Sequence, residues 1–228
     1  EKTPEVTGAA AFVAGTHPRF DPVISDIPFN TDLVFASAAR TDGTAHVGEA
    51  TDAVRATVNA LDGFSTSAFF DVMISGSVDG NTALPNQTVF LVELDAGGKD
   101  ALNPANIVGI KGVASFDVKV VSLDGGTNNV IRIRPTAPLK SKTKYLVFLT
   151  NGIKDSAGLA LTRSWTYNAL HDTTYIPTDS LAPVQNAIVG WEKLASAFLV
   201  ANSPGLSASA PVDKLVLSYT FTTTDPQA

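Results

Sequence analysis

The sequence predicts a mostly β protein, an antiparallel β-sandwich with one or two inserted helices. Residues 130–134 alternate apolar and basic side chains, which is the period of two expected for a strand with one buried face. After a polar connector, residues 145–150 form a continuous apolar run rich in strand-forming residues. Because the strand-like runs are not regularly separated by helical patterns, a parallel sheet with crossover helices is disfavoured.

Five further segments are predicted to be strands. They are residues 33–35, 69–74, 89–94, 116–120 and 215–221. Asp and Gly residues at 124–126 and 155–158 mark turns, since these residue types tolerate a left-handed backbone. Residues 103–112 are ambiguous. The pattern as a whole predicts eight or nine strands, spaced as in a sandwich.

Two helices are predicted, at residues 50–61 and 181–201. Val54, Val58 and Leu61 share one face of the first helix, and Gly63 can end it. In the second helix, apolar residues recur at intervals of three and four and form one continuous stripe. The stripe consists of Leu181, Val184, Ile188, Trp191, Leu194 or Ala195, and Phe198.

Composition excludes several classes of protein. The net charge is −6 and the only basic cluster is at residues 140–144, so the basic surface that nucleic acid requires is missing. We interpret that cluster as a solvated loop between strands. The chain has no cysteine, so it has neither disulfides nor thiolate metal sites. No apolar run approaches the roughly 18–20 residues of a transmembrane segment.

The chain is expected to divide into three parts. Residues 1–19 are predicted to be a flexible N-terminal segment, residues 20–223 the sandwich, and residues 224–228 the start of a linker. The sequence begins at Glu1 without an initiator Met and carries no recognisable signal peptide. Either a signal was removed or the sequence was trimmed. Frequent Ala, Thr, Ser, Gly and Asn with few charges suit an exported protein.

Two segments come close to the Gly-x-Ser-x-Gly elbow of serine hydrolases. They are Gly63-Phe-Ser-Thr-Ser67 and Gly205-Leu-Ser-Ala-Ser209, and each has serine in place of the second glycine. The elbow needs a strand before the serine and a helix after it. Here both glycines follow predicted helices, so Ser65 and Ser207 are interpreted as turn residues.

No other catalytic, cofactor or metal site is predicted. His17, His46 and His171 are scattered through loop-like regions without metal-ligand spacing. The acidic residues near the N-terminus, Asp21, Asp26 and Asp32, do not follow the ligand order of a calcium loop. We interpret all of them as surface or turn residues, and the chain as a binding, scaffold or accessory domain.

Four segments together resemble a known family. They are Phe20-Asp-Pro22 leading to Ile27-Pro-Phe-Asn-Thr-Asp-Leu-Val-Phe35, Asn59-Ala-Leu-Asp-Gly-Phe-Ser-Thr66, the hairpin at 145–158, and Ser218-Tyr-Thr-Phe-Thr-Thr223. They resemble the N-terminal Ig-like domain of bacterial virulence-factor (extracellular) lipases and lysophospholipases. The hairpin is shared with other bacterial Ig-like modules. In that family the opening segment often has a second proline where Asn30 stands.

The resemblance implies a non-catalytic domain of a secreted or cell-surface lipase, whose signal peptide, of ordinary or lipoprotein type, has been removed. It implies no cofactor. The partner would be an α/β-hydrolase domain of the same chain beyond residue 228, and the domain would act as a scaffold, a spacer or a contact to lipid or the cell envelope. Two alternatives stay open: an adhesin-like or carbohydrate-binding Ig-like module with no enzyme attached, and a small esterase that uses Ser65 or Ser207.

Overall fold

Two antiparallel sheets face each other in the computed structural model, which describes residues 12–35, 51–101, 103–202 and 211–224. The fold is mostly β, as predicted, and the described residues contain seven strands rather than eight or nine. All paired strands are antiparallel, as in an Ig-like sandwich.

The smaller sheet has three strands, β1 (Phe70–Met73), β4 (Phe116–Val121) and β5 (Val130–Pro135), in the order β1-β5-β4. The alternating pattern of the sequence reappears here as alternating burial: Ile131 and Ile133 are buried, whereas Arg132 between them lies partly in solvent. One face of this sheet packs on the core and the other faces water.

The larger sheet has four strands in the order β3-β2-β6-β7. They are β2 (Val89–Asp95), β3 (Gly109–Val113), β6 (Lys144–Thr150) and β7 (Leu215–Thr222). Every residue of β6 and β7 is buried, on both faces of the sheet. The continuous apolar run of the sequence is therefore a central strand that is covered on both sides.

Aromatic residues join the two sheets. The Phe221 ring on β7 lies 5.1 Å from the Phe70 ring on β1 and 5.7 Å from the Tyr145 ring on β6, between ring centroids. Leu217 and Tyr219, which share the inward face of β7 with Phe221, are fully buried. This face of β7 therefore fills the core between the two sheets.

Helices cover the outer face of the larger sheet. The chain contains α1 (Ala53–Asn59), α2 (Trp165–His171), α3 (Ala182–Asn202) and the single turn α4 (Pro211–Lys214). Helix α3 occupies almost the range in which the apolar stripe predicts a helix. Its Phe198 ring packs 5.9 Å from the rings of both Phe90 and Phe148, which are stacked on each other.

Some local predictions are wrong. Residues 33–35, expected to be a strand, belong to a 3-10 helix at Asp32–Phe35. Residues 103–112 divide into a 3-10 turn at Pro104–Asn106 and strand β3. Helix α2 was not predicted, because its seven residues are too few to show a helical period.

The basic cluster at 140–144 is also not simply a solvated loop. Lys144 is the first residue of β6 and is buried, with its ammonium group bonded to the Asp32 carboxylate and, at 3.1 Å, to Thr222. Lys140 pairs with Glu93 at 2.8 Å, and Lys142 is bonded to Asp62. Lys144 therefore ties the start of β6 to Asp32, because a buried cation needs a charged partner, whereas Lys140 and Lys142 are more than half exposed, as expected for a solvated loop.

Candidate functional site

A buried chain of four polar side chains connects α2, α3 and β7. The Tyr167 hydroxyl lies 2.7 Å from Ser218 Oγ and donates to Glu192 Oε1 at 3.1 Å. The other carboxylate oxygen, Glu192 Oε2, lies 2.6 Å from His171 Nδ1. Since a phenol carries a single hydrogen, Tyr167 accepts from Ser218 while it donates to Glu192.

Local sequence explains how these residues meet. Tyr167 and His171 are four residues apart on α2, so they lie on one face of the helix. That helix begins at Ser164, whose hydroxyl accepts from the Tyr167 backbone N–H at 3.1 Å, an N-cap interaction. Glu192 lies on α3 next to Trp191, on the buried side of that helix.

The electrostatics keep Tyr167 protonated. Burial, and next the negative charge of Glu192, raise the pKa of the Tyr167 hydroxyl well above its ordinary value of 10.0. At neutral pH the phenol therefore stays a neutral hydrogen-bond donor. Through its two hydrogen bonds it joins the helices to the sheet.

The His171 end of this chain of hydrogen-bonded side chains opens onto a groove of about 950 Å³ between α2, α3 and α4. His171 and Glu192 line it together with Arg163, whose Nη2 donates to the Val212 carbonyl at 2.7 Å. Ser196, one helical turn after Glu192, also lines the groove, and no hydrogen bond in the described residues joins it to His171.

The residue types of a serine hydrolase are present here in the wrong order. In a catalytic triad the histidine lies between the serine and the acid, so that it can take the serine proton. Here Tyr167 and Glu192 separate Ser218 from His171. Ser218 is also completely buried. The arrangement can anchor helices to a sheet, but it offers no activated nucleophile to a substrate.

Ser65 is held as a turn residue. Its hydroxyl oxygen accepts the backbone N–H groups of Ser67 at 3.2 Å and Ala68 at 3.0 Å. The preceding Gly63 has a structural role, since a Cβ there would lie 2.5 Å from the Thr223 backbone carbon. The Gly63 segment runs beside the end of β7, where the Phe64 N–H donates to the Thr222 carbonyl at 2.8 Å. Ser207 lies outside the described residues.

The other candidate residues are also dispersed. His17 donates through Nδ1 to the Gly15 carbonyl at 2.6 Å, and His46 lies outside the described residues. Asp21 accepts the Val23 N–H at 3.0 Å, and Asp26 pairs with Arg19.

Within the described ranges, no group of three or more His, Cys, Asp or Glu side chains is arranged to hold a metal ion. Over the same part of the chain, no helix is long and apolar enough to cross a membrane.

Sequence reasoning missed Tyr167, Glu192 and Ser218. One signal was available: Glu192 follows Trp191 and precedes Ala195 by three residues, so a carboxylate adjoins the apolar stripe of α3. Buried carboxylates require partners. The identity of those partners, on a short helix and on a distant strand, could not be read from spacing.

A family model for the bacterial Ig-like domain matches residues 99–169 of this chain. The matched range contains strands β3 to β6 and the first five residues of helix α2, and it includes the hairpin at 145–158. It does not include residues 20–35 or 59–66, the segments in which the resemblance to lipase N-terminal domains is most specific. No curated protein matches the chain.

Three solved structures of a bacterial surface-layer protein show limited similarity. The crystal structure of the S-layer protein rSbsC(31-844) is 22% identical, with a TM-score of 0.30, over 44% of this chain and 12% of that chain. The structure of SbsC domains 1–6 is 21% identical, with a TM-score of 0.27, over 42% of this chain and 11% of that chain. The N-terminal part of SbsC is 20% identical, with a TM-score of 0.26, over 41% of this chain and 18% of that chain. The chain thus spans less than a fifth of each.

Proposed function

We propose that this chain is a non-catalytic Ig-like module of an exported bacterial protein, and that it serves as a scaffold or spacer for another domain. The observation that carries the proposal is the buried chain from Ser218 to His171. Among the described residues, His171 is the one histidine that is paired with a carboxylate, and it lies at the opposite end of the buried chain from Ser218. Such a chain stabilises a sandwich and its covering helices.

The finer proposal is that the attached domain is an α/β-hydrolase and the whole protein a secreted or surface lipase or lysophospholipase. Its support is the sequence resemblance of residues 20–35, 59–66, 145–158 and 218–223 to lipase N-terminal domains. The signal peptide, the linker at 224–228 and the hydrolase partner are parts of this proposal. The geometry of Ser65 agrees with it, because a turn-forming serine leaves the chemistry to another domain.

A second candidate is an adhesin-like or carbohydrate-binding Ig-like module. The match to the bacterial Ig-like domain favours it as much as the first, because residues 99–169 include the hairpin that both kinds of protein share. An elbow-bearing hydrolase sequence after residue 228 would decide for the lipase. Further Ig-like units there would decide for the adhesin.

The experiment compares ester hydrolysis by this chain alone with hydrolysis by the natural protein extended beyond Ala228. Short- and long-chain esters serve as substrates. An inert chain beside an active extended protein is the expected result. Hydrolysis by the chain alone, lost on Ser65→Ala or His171→Ala, would overturn the non-catalytic proposal. Two inert proteins would overturn the lipase proposal in favour of the adhesin.

A further inference from the structure

A closed loop at residues 21–26 exposes two adjacent aliphatic side chains. Val23 and Ile24 are 68% and 70% exposed, and they follow Pro22 in a 3-10 turn with no buried residue. Single exposed aliphatic residues are common on protein surfaces. An adjacent pair at the tip of one loop is the less ordinary feature, and Phe29, 71% exposed, lies in the same stretch of chain.

The backbone of this loop is closed on itself. Asp21 and Asp26 exchange two hydrogen bonds, N–H to carbonyl, at 2.7 and 2.9 Å. The Asp21 carboxylate accepts the Val23 N–H at 3.0 Å, and Pro22 has no N–H to satisfy. These bonds lower the cost of moving the tip into an apolar medium, because the groups that form them lose no hydrogen bond to water. Because the turn is already fixed, little conformational entropy is lost on binding.

A polar hollow of about 530 Å³ lies at the base of the loop. Arg19 and Asp26 line it, with Arg19 Nε donating to Asp26 Oδ2 at 2.8 Å. His17, Ser75, Thr127 and Asn129 form other parts of the wall, and the Asn129 amide is already bonded to the Leu123 backbone. The hollow thus presents an Arg19–Asp26 ion pair and neutral hydrogen-bonding groups, and the two ions can exchange partners with the phosphate and ammonium groups of a zwitterion.

The two features are neighbours. Ile24 is two residues from Asp26, so their Cα atoms are at most about 7 Å apart. We propose that the 21–26 loop docks on the surface of a zwitterionic phospholipid bilayer. Val23 and Ile24 enter the apolar boundary, while a headgroup that carries both a phosphate and an ammonium group occupies the hollow.

The charge of the molecule favours this partner over an anionic membrane. The chain carries a net charge of −6, and anionic lipid would repel it. With two small aliphatic groups inserted, the contact is weak and reversible, comparable to that of other single, short anchors. The inference rests on the proposed function only for the presence of a lipid surface near the module.

Sedimentation with phosphatidylcholine vesicles tests the docking. The expected result is measurable binding that falls at least about tenfold on Val23→Ser with Ile24→Ser, because the apolar transfer is lost. Leu159→Ser is the matched control, since Leu159 is 66% exposed on another turn, and it should bind as the unchanged chain does. Arg19→Met should weaken binding without abolishing it.

Glycerophosphocholine in solution distinguishes a headgroup site from a bilayer site. A bilayer site predicts that millimolar glycerophosphocholine lowers vesicle binding only in part, by no more than Arg19→Met does, because Val23 and Ile24 still enter the apolar boundary. Absence of vesicle binding, full competition by glycerophosphocholine, or equal loss in the Leu159→Ser control would each overturn the proposal. Circular dichroism of each variant confirms that it is folded. Ester hydrolysis is measured separately, so failure of the docking and failure of the scaffold role give different results.

Discussion

The two sheets of this sandwich are built from different kinds of strand. On β5 of the smaller sheet, Ile131 is buried while Arg134 is exposed, and the pattern alternates along the strand. On β6 and β7 of the larger sheet, every residue is buried. The first sheet is an ordinary half-exposed antiparallel sheet, whereas the second is a middle layer between the core and the helices.

The difference shows why this module needs a buried polar network. The outer face of β7 carries Ser218, Thr220 and Thr222, all buried. Polar side chains in such a position need partners, and Tyr167 is a partner of Ser218 while Lys144 is a partner of Thr222. On the smaller sheet, the outward-facing Arg132 and Arg134 pair with Asp71 and Asp117 at the protein surface. The residues that look most like an active site are thus consequences of covering a sheet with helices.

The largest effect is expected for Phe148→Ala in the covered sheet. Loss of a buried ring should lower the free energy of unfolding by about 3–5 kcal/mol. Phe69→Ala beside the smaller sheet is the matched variant, because Phe69 is 50% exposed and stacks under Arg132 at 3.8 Å. It should lose no more than about 1 kcal/mol. Urea denaturation measures both, and equal losses would contradict the three-layer description.

Gly63→Ala should come next. A methyl group at Gly63 would lie 2.5 Å from the Thr223 backbone carbon, so we expect a loss of about 1–3 kcal/mol from overpacking. Gly112→Ala, on edge strand β3, is the control, since nothing lies within 4 Å of its Cβ position. Thermal unfolding of the two variants compares them. If Gly63→Ala were tolerated, close packing against Thr223 would no longer explain why a glycine begins the elbow-like segment.

Tyr167→Phe and Tyr219→Phe form a matched pair inside the sandwich. Both side chains are fully buried, but the Tyr167 hydroxyl has two partners and the Tyr219 hydroxyl has none among the described residues. Tyr167→Phe should lower the unfolding free energy by about 1–2 kcal/mol, because Glu192 and Ser218 lose a partner. Tyr219→Phe should be neutral or stabilising. Guanidinium denaturation gives the sign of the change in unfolding free energy for each variant. A destabilised Tyr219→Phe would contradict the contrast between a bonded and an unbonded hydroxyl.

The smallest effects belong to the ion pairs on the open face of the smaller sheet. Arg132 donates to both carboxylate oxygens of Asp71 at 2.8 Å, whereas Arg134 contacts Asp117 through one nitrogen at 2.6 Å and is more exposed. A double-mutant cycle should give a coupling energy of at most about 1 kcal/mol for the first pair and less for the second. Both should decrease in high salt. A larger coupling for Arg134–Asp117 would be unexpected.

Periodicity predicted the parts of the fold that depend on local pattern. Residues 130–134 alternate and form β5, and residues 145–150 are continuously apolar and form the covered strand β6. The stripe of α3 predicted its position almost completely. Which element lies on the outer face of β6 was not predictable, because that depends on the path of the chain rather than on spacing.

The site was predicted mainly by exclusion. The context of Gly63 and Ser65 indicated a turn, and the structure places Ser65 in one. The pairing of Lys144 with Asp32, residues 112 positions apart, was not predictable, since charge runs usually lie in solvent. The chain from Ser218 to His171 joins three elements through side chains distant in sequence, for which periodicity carries no signal.

The most direct test of the non-catalytic account is the reaction of this chain with a fluorophosphonate, which labels only activated serines. The intact mass is measured after incubation, with a serine esterase as the positive control. The account predicts an unchanged mass, because Ser65 caps a turn and Ser218 is sealed behind Tyr167. A stoichiometric adduct at any serine, abolished by His171→Ala, would contradict it and make the groove beside α3 an active site.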